Sequence, residues 1–446
     1  MDELLDGEEQ IAQLNRQITQ LRCRQAKLAS DFSDYKVALA PHKMLPEHIL
    51  QLIFQWCIPR DGLLIPLFCD KELWPPFTQV CSSWRKLAMN TPELWRDVTV
   101  KLDYGYHNGC KIDLAHEWLS HAGDMPRSLK ITAQDDLLDD SDEWCTAEVV
   151  DLLVVPFRFR SLDLSLTRGQ FQRVLDHPPQ TQSLHSLQLM AAFPQDVYED
   201  CSAYNLITTL PWSQLRHLSI EDASSSASTL MNVLSSCSVL EELWIILCPD
   251  PVPCDTPASF ITLPNLEQLT LYFLIGSNLE IFFRSLIMPH IKWLDISMMG
   301  FRTEMLGCTS LHFANMAQRS GMSRIQGLRL SKGVEPYRLV DLLKYTPSLS
   351  HLDVNGDVVS DSQTLEDMST GQLGPNMKSL FLPELEDSRF FEMVWTRFQN
   401  ATGDKTFSVT PIKSITISAA VLDNTEVDVE GWVNQLPDLG IYCSCE

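Results

Sequence analysis

A triplet of apolar residues spaced L-x-x-L-x-L returns along most of this chain, and it narrows the folding options more than any other feature. It occurs at Phe159, Leu162 and Leu164; Leu184, Leu187 and Leu189; Leu215, Leu218 and Ile220; and Leu240, Leu243 and Ile245. It continues at Leu266, Leu269 and Leu271; Ile291, Leu294 and Ile296; Ile325, Leu328 and Leu330; and Leu349, Leu352 and Val354. Met377, Leu380 and Leu382 follow, then Ile412, Ile415 and Ile417 with one position slipped. Alternation within the triplet is the period of a strand. From Leu187 to Leu294 the middle members lie 25 to 31 residues apart, enough for one strand and one returning helix. TLMNVLSSCSVLEEL and RLVDLLKYTPSLSHL show that helix as an apolar stripe, a stop and the next strand. One strand and one helix cannot bury their apolar faces alone, so the units are expected to stack in an α/β array with a shared core.

This spacing resembles the leucine-rich repeat, whose units stack into a curved solenoid, or horseshoe. LEELWIILC alone places Cys or Asn at the ninth position, where a buried polar group normally satisfies the loop backbone. The array is therefore expected to be irregular. The second and third triplet members point inward, so the intervening positions face out from the sheet. These are Glu242, Trp244, Gln268, Thr270, Tyr272, Trp293 and Asp295. Strands spaced about 4.8 Å apart would gather Trp244, Tyr272 and Trp293 into one exposed aromatic cluster bordered by Arg329 and His217. With Asp295, these residues form the expected substrate-binding surface, since aromatic and arginine side chains dominate binding hot spots. Alternatively, a descending loop or the C-terminal tail with Trp432 covers the rings as a satellite core.

Ahead of the repeats, Met44 to Val100 reads as a compact helical module. Leu45 and Pro46 mark a helix start, and Glu47 suits its first turn. Ile49, Leu50, Ile53 and Phe54 then recur at helical spacing. In TQVCSSWRKLAMN, Val80, Trp84, Leu87 and Ala88 share a face, and TPELWRDVTV closes the module. Leu-Pro with an apolar helix, then Val-Cys-x-x-Trp-Arg, then Pro-x-Leu-Trp resembles the F-box of ubiquitin-ligase substrate receptors. The segment Ile58 to Pro76 is longer and richer in proline than the link normal for that family, compatible with a surface loop. LWRDVTV followed by LAHEWLSHAGDMPRSLKI is similar to the junction in fungal F-box proteins with leucine-rich repeats. Val98 to Val100 and Leu129 to Ile131 would then be early strands of the same sheet, with Trp118 and Leu119 packed on them.

The resemblance implies three parts: an N-terminal amphipathic or coiled-coil helix (1–43), an all-α F-box-like domain (44–97) and an irregular leucine-rich-repeat domain (98–446). It implies that Leu45, Pro46, Ile49, Leu50, Ile53, Val80 and Trp84 dock a Skp-type adaptor. Through the adaptor the chain would join a cullin-RING (SCF-type) ubiquitin ligase as its non-catalytic substrate receptor, with an unknown protein as substrate. A scaffold that holds a partner without ubiquitin transfer stays open beside it.

Residues 8–37 place Ile11, Leu14, Ile18, Leu21, Leu28, Phe32 and Tyr35 on the a and d positions of one heptad frame, with Gln25 as the polar exception. Two readings stay open: a single helix folded onto the neighbouring unit, and a parallel coiled coil that makes a homodimer. The formal net charge of −24 excludes a nucleic-acid or anionic-membrane partner and suits a basic one. No apolar run reaches the roughly 20 residues of a membrane helix. The 13 cysteines are scattered and odd in number without a signal peptide, which points to a reducing cytoplasmic or nuclear compartment.

Catalytic motifs are absent: there is no G-x-S-x-G, P-loop or dinucleotide fingerprint. His116 and His121 in HEWLSH stand five apart, which turns the second ring off the first one's helix face. Cys443 and Cys445, like Cys248 and Cys254, lack the paired ligands of a zinc site. No metal, cofactor or catalytic residue is expected, and the acidic run Asp135 to Glu143 reads as a solvated loop.

Overall fold

The computed structural model describes residues 2–38, 45–65, 74–102, 108–133, 149, 151–153, 157–166, 183–191, 212–221, 227–247, 260–273, 280–298, 309–331, 336–382, 389–402, 409–418 and 440–444. The chain divides into a helical unit, Met1–Pro59 with Trp74–Leu94, and a sheet unit, Arg60–Leu73 with Trp95–Glu446. Among the described residues no helix is long and apolar enough to cross a membrane.

The helical unit begins with α1 (Asp2–Ala38), a run of strong helix formers free of proline. Every described side chain of α1 from Gln10 to Phe32 is exposed. The unit continues through α2 (Glu47–Cys57), α3 (Pro76–Gln79) and α4 (Ser82–Met89), with a 3-10 turn at Pro92–Leu94. Pro46 caps α2 with extended backbone, and its carbonyl accepts from the amides of Ile49 and Leu50 at 3.0 and 3.1 Å. Phe54 anchors the interior: its ring stacks on Phe77 and meets Trp84 edge-on, both at 5.1 Å between centroids.

Among the described residues, the sheet unit is built on one parallel sheet of fourteen strands. They are β1 (Leu63–Leu64), β2 (Asp97–Leu102), β3 (Arg127–Ala133), β4 (Phe159–Leu166), β5 (Ser186–Ala191), β6 (His217–Glu221) and β7 (Glu242–Leu247). They continue as β8 (Gln268–Phe273), β9 (Trp293–Met298), β10 (Gly327–Ser331), β11 (His351–Asn355), β12 (Ser379–Leu382), β13 (Ser414–Ser418) and β14 (Gly440–Ser444). Spatial order follows chain order from one edge to the other. Register aligns the middle triplet members into one row across the sheet, from Leu162 through Leu187, Leu218, Leu243, Leu269, Leu294, Leu328, Leu352 and Leu380 to Ile415. Every triplet side chain that is described is at most 6% exposed, so the triplets are core. Burying three such side chains contributes roughly 4 to 9 kcal/mol per unit before entropy is counted.

Helices between the strands supply the opposing apolar surface. They are α5 (Asn108–Ser120), α6 (Ala227–Leu234), α7 (Glu280–Ser285), α8 (Ser310–Ser320), α9 (Leu339–Leu343), α10 (Ser362–Thr370) and α11 (Arg389–Thr402). Each buries an apolar stripe, as with Phe313, Met316 and Ala317 on α8 or Phe390, Phe391 and Val394 on α11. As expected, Trp118 and Leu119 of α5 are buried in the sheet unit, and Trp118 meets Trp95 edge-on at 5.9 Å.

Loop backbones are satisfied by groups other than a repeated Asn. Three arginines, the buried Arg127 and Arg397 and the half-buried Arg319, each donate to carbonyls at the C-terminal end of a helix, where the backbone runs out of partners. Arg127 reaches Leu119 O at 2.8 Å and also Gly123 O, just past α5. Arg319 reaches Phe283 O and Leu286 O at 2.6 and 3.0 Å, at the end of α7. Arg397 is fully enclosed and bonds Met368 O and Gly374 O, each at 2.7 Å, at the end of α10, besides Thr410 O at 2.8 Å. Burial pushes all three guanidinium pKa values down, that of Arg397 to about 10. The amides of Asn265 and Asn376 tie their loops to the preceding one through Ser238 O and Pro347 O.

The segment Ile58 to Pro76 is not simply a surface loop. Leu63 and Leu64 form β1, pairing in parallel with Val98 and Thr99, and the buried Ile65 donates to Thr99 O at 2.8 Å. Gly62 makes this approach possible: its φ is 84°, and a Cβ there would lie 2.4 Å from Asp97 O. Cys443, read as one of two C-terminal thiols, sits in β14 opposite Ile417. Cys445, Cys248, Cys254, Trp432 and the acidic run Asp135 to Glu143 lie outside the described residues.

Candidate functional site

In the helical unit, α2 carries apolar side chains on two faces. Leu50 and Phe54 turn inward and are buried. Ile49, Leu52, Ile53 and Trp56 fall at i, i+3, i+4 and i+7 on another face. Ile49 is half-buried, Leu52 and Ile53 are exposed, and Trp56 is 88% exposed, a large apolar surface left in water. Val80 at the end of α3 is exposed, as is Pro46, while Leu45 is half-buried.

Two residues of the predicted adaptor set therefore serve the interior. Leu50 is 4% exposed, and the half-buried Trp84 is engaged by the Phe54 ring. The helical spacing of Ile49, Leu50, Ile53 and Phe54 leaves out Leu52 and Trp56. The signal for those two was present as a second helical stripe that starts at the same Ile49.

In the sheet unit, the face opposite the leucine rows is polar and half-exposed. Trp244 is level with Ser219 and Thr270 in neighbouring strands, and Tyr272 stands one pleat further along. Their rings are 5.2 Å apart, tilted by 51°. Trp293 is set one pleat back from Trp244, level with Gln268 and Gly327. Its ring lies over Gly327, where a Cβ would fall 2.0 Å from Cε3, and meets the His351 ring at 5.6 Å. The single cluster expected of Trp244, Tyr272 and Trp293 is thus two pairs, Trp244 with Tyr272 and Trp293 with His351. The bare backbone at Gly327 draws the Trp293 ring to its far side. At 44% exposure Trp293 is reachable from solvent.

Arg329 stands between two carboxylates, with Nε 2.7 Å from Asp353 and Nη1 3.2 Å from Asp295. The hydrogen bond to Asp353 leads in raising the Arg329 pKa, whereas burial pushes the Asp353 carboxyl up despite that partner. Asp295 also accepts from the Ser297 hydroxyl at 2.5 Å. These expected site residues hold one another in a row across β9, β10 and β11. His217 lies 3.9 Å from Glu242 and, with Trp244, Gln268 and Thr270, lines a shallow groove of about 300 Å³. A second groove of about 240 Å³ lies between Arg60, Asp97, Lys130, Arg160 and Asp163. Its charges are internally matched, Lys130 to Asp163 at 2.6 Å and Arg160 to Asp97 at 3.3 Å.

Half-exposed aromatic rings, hydroxyls and side-chain amides on a rigid sheet can bind a surface through stacking and hydrogen bonds. Among the described residues no three His, Cys, Asp or Glu side chains converge as a metal site. His116 and His121 go to separate rings, Phe157 at 5.2 Å and Trp95 at 5.3 Å. In comparisons with known proteins, no family model and no curated protein matches this chain.

Proposed function

We propose that this chain is the substrate-recognition subunit of an SCF-type ubiquitin ligase. Its helical unit would be an F-box that docks a Skp-type adaptor, and its sheet unit an irregular leucine-rich-repeat solenoid that captures a protein substrate. The observation that carries this reading is the exposed set Leu52, Ile53 and Trp56 on α2, continuous with the half-buried Ile49 and following the Leu45-Pro46 start. Interior packing accounts for Leu50 and Phe54 but leaves that set in water, and a contiguous exposed apolar patch marks an interaction site. The parallel sheet in chain order, with triplets in register, supports the solenoid reading of the second unit. A receptor of this kind forms no bond itself: it holds the substrate near a transfer centre, and the rate gain comes from proximity.

Full-length protein titrated with a purified Skp-type adaptor tests the proposal. Binding is expected, and Trp56→Ala is expected to weaken it by roughly 30-fold, since a hot-spot tryptophan contributes about 2 kcal/mol or more. Wild-type protein with no affinity at high micromolar adaptor would refute the reading. An adaptor complex that never recruits a cullin would leave a scaffold instead.

A further inference from the structure

We propose that α1 is one strand of a parallel, in-register two-stranded coiled coil with a second copy of this chain. The proposal stands apart from the adaptor reading and rests on α1 alone. Ile11, Leu14, Ile18, Leu21 and Leu28 are between 46 and 64% exposed, so this apolar stripe lies open in the middle of a 37-residue helix about 55 Å long, with Phe32 in the same frame and 62% exposed. Isolated helices draw little stability from propensity, and a stripe of this length calls for a partner.

Periodicity identifies that partner. The residues step by 3, 4, 3, 7 and 4, a strict 3.5-residue repeat. On a straight helix such a stripe drifts by about 20° per heptad, and only supercoiling about a helix with the same repeat keeps it buried. A second copy supplies that repeat by construction. β-Branched Ile at the first two a positions, with Leu at the first three d positions, favours two strands over three or four.

Orientation follows from the residues in between. In a parallel pair Gln25 meets its own copy, and two amides can bond each other at that layer. An antiparallel pair of full overlap sets Gln25 against Leu21 and stacks Arg22 on Arg22 and Arg24 on Arg24 at the midpoint. An unpartnered amide and four crowded guanidinium groups disfavour that arrangement. Cys23 falls at an outer position of the heptad, away from the seam, and is exposed.

Sedimentation equilibrium on the full chain at tens of micromolar should give twice the chain mass. Leu21→Asp should return it to one chain mass with the remainder of the fold intact, as judged by unchanged near-ultraviolet circular dichroism. A wild-type monomer, or a dimer that survives Leu21→Asp, overturns the proposal. Leu21→Cys tests orientation, because only the parallel register brings the two new thiols together. It should form a covalent dimer under mild oxidation well beyond the wild-type background. A non-covalent dimer that fails to cross-link would overturn the parallel arrangement.

Discussion

Replacing Gly327 with alanine would place a Cβ 2.0 Å from Cε3 and 2.1 Å from Cζ3 of Trp293. Carbon atoms rest about 3.5 to 4.0 Å apart, so the indole must move by about 1.5 Å or more. It would give up its tilted contact with His351, which lies at 5.6 Å, and part of the cover that leaves it 44% exposed. The ring pair contributes about 0.5 to 1.5 kcal/mol. Half of a tryptophan surface, about 100 Å² at 25 cal/mol per Å², sets an upper bound of roughly 2.5 kcal/mol on the rest. Against this, alanine in a strand is better than glycine by about 0.5 to 1 kcal/mol. Gly327→Ala alone should therefore destabilise by roughly 1 to 2 kcal/mol. In a Trp293→Ala background the obstacle is gone, and the same change should become neutral or stabilise by about 0.5 kcal/mol. Urea unfolding of the four proteins, compared at equal m values, gives the coupling between the two sites. An equal cost of Gly327→Ala in both backgrounds would show that the backbone, and not the indole, demands glycine there.

Arg397→Met keeps the volume but removes the guanidinium bonds to Met368 O, Gly374 O and Thr410 O, and should cost roughly 3 to 5 kcal/mol in urea unfolding. Arg397→Lys should recover only part of that, because an ammonium lacks the planar fork that reaches several carbonyls at once. Asp361 caps α10 by accepting from the Thr364 amide at 2.7 Å, and hydrogen bonding to Thr364 holds its pKa below the ordinary 3.8. A depressed carboxylate stabilises the fold above its unfolded pKa and loses that contribution as pH falls through its folded pKa. Thermal melts from pH 5 to pH 2 should therefore fall more steeply for wild type than for Asp361→Asn, and parallel curves would count against the cap.

Reading the chain unaided locates the core well and the surfaces less well, for a reason visible in particular residues. The triplets show because each is a local alternation of apolar and polar residues that recurs at nearly constant spacing, so period and position agree. Leu63 and Leu64 do not show: a two-residue strand among prolines has no period, and its partner Val98 lies 35 residues on. The Trp293 ring over Gly327 is likewise a contact between strands, invisible in either segment alone. Leu52 and Trp56 were open to view as a helical stripe, but a search for one apolar face stops once Leu50 and Phe54 are assigned to it. Arg127, Arg319 and Arg397 invert the usual placement of charge, because helix ends that close against the sheet need donors where solvent is scarce.

Because Arg60–Leu73 belongs with the sheet while the residues on both sides belong with the helices, the polypeptide crosses between the two units three times. Neither unit can be cut out as one continuous length of chain. A fragment spanning 44–97 would carry Leu63 and Leu64 while ending at the first residue of the strand they pair with. Removing the intervening segment would instead leave the Thr99 carbonyl, which accepts from the Ile65 amide, bare at the rim, an invitation to pair with another molecule. The segment that looks most like an interruption is also the seal on the first edge of the sheet.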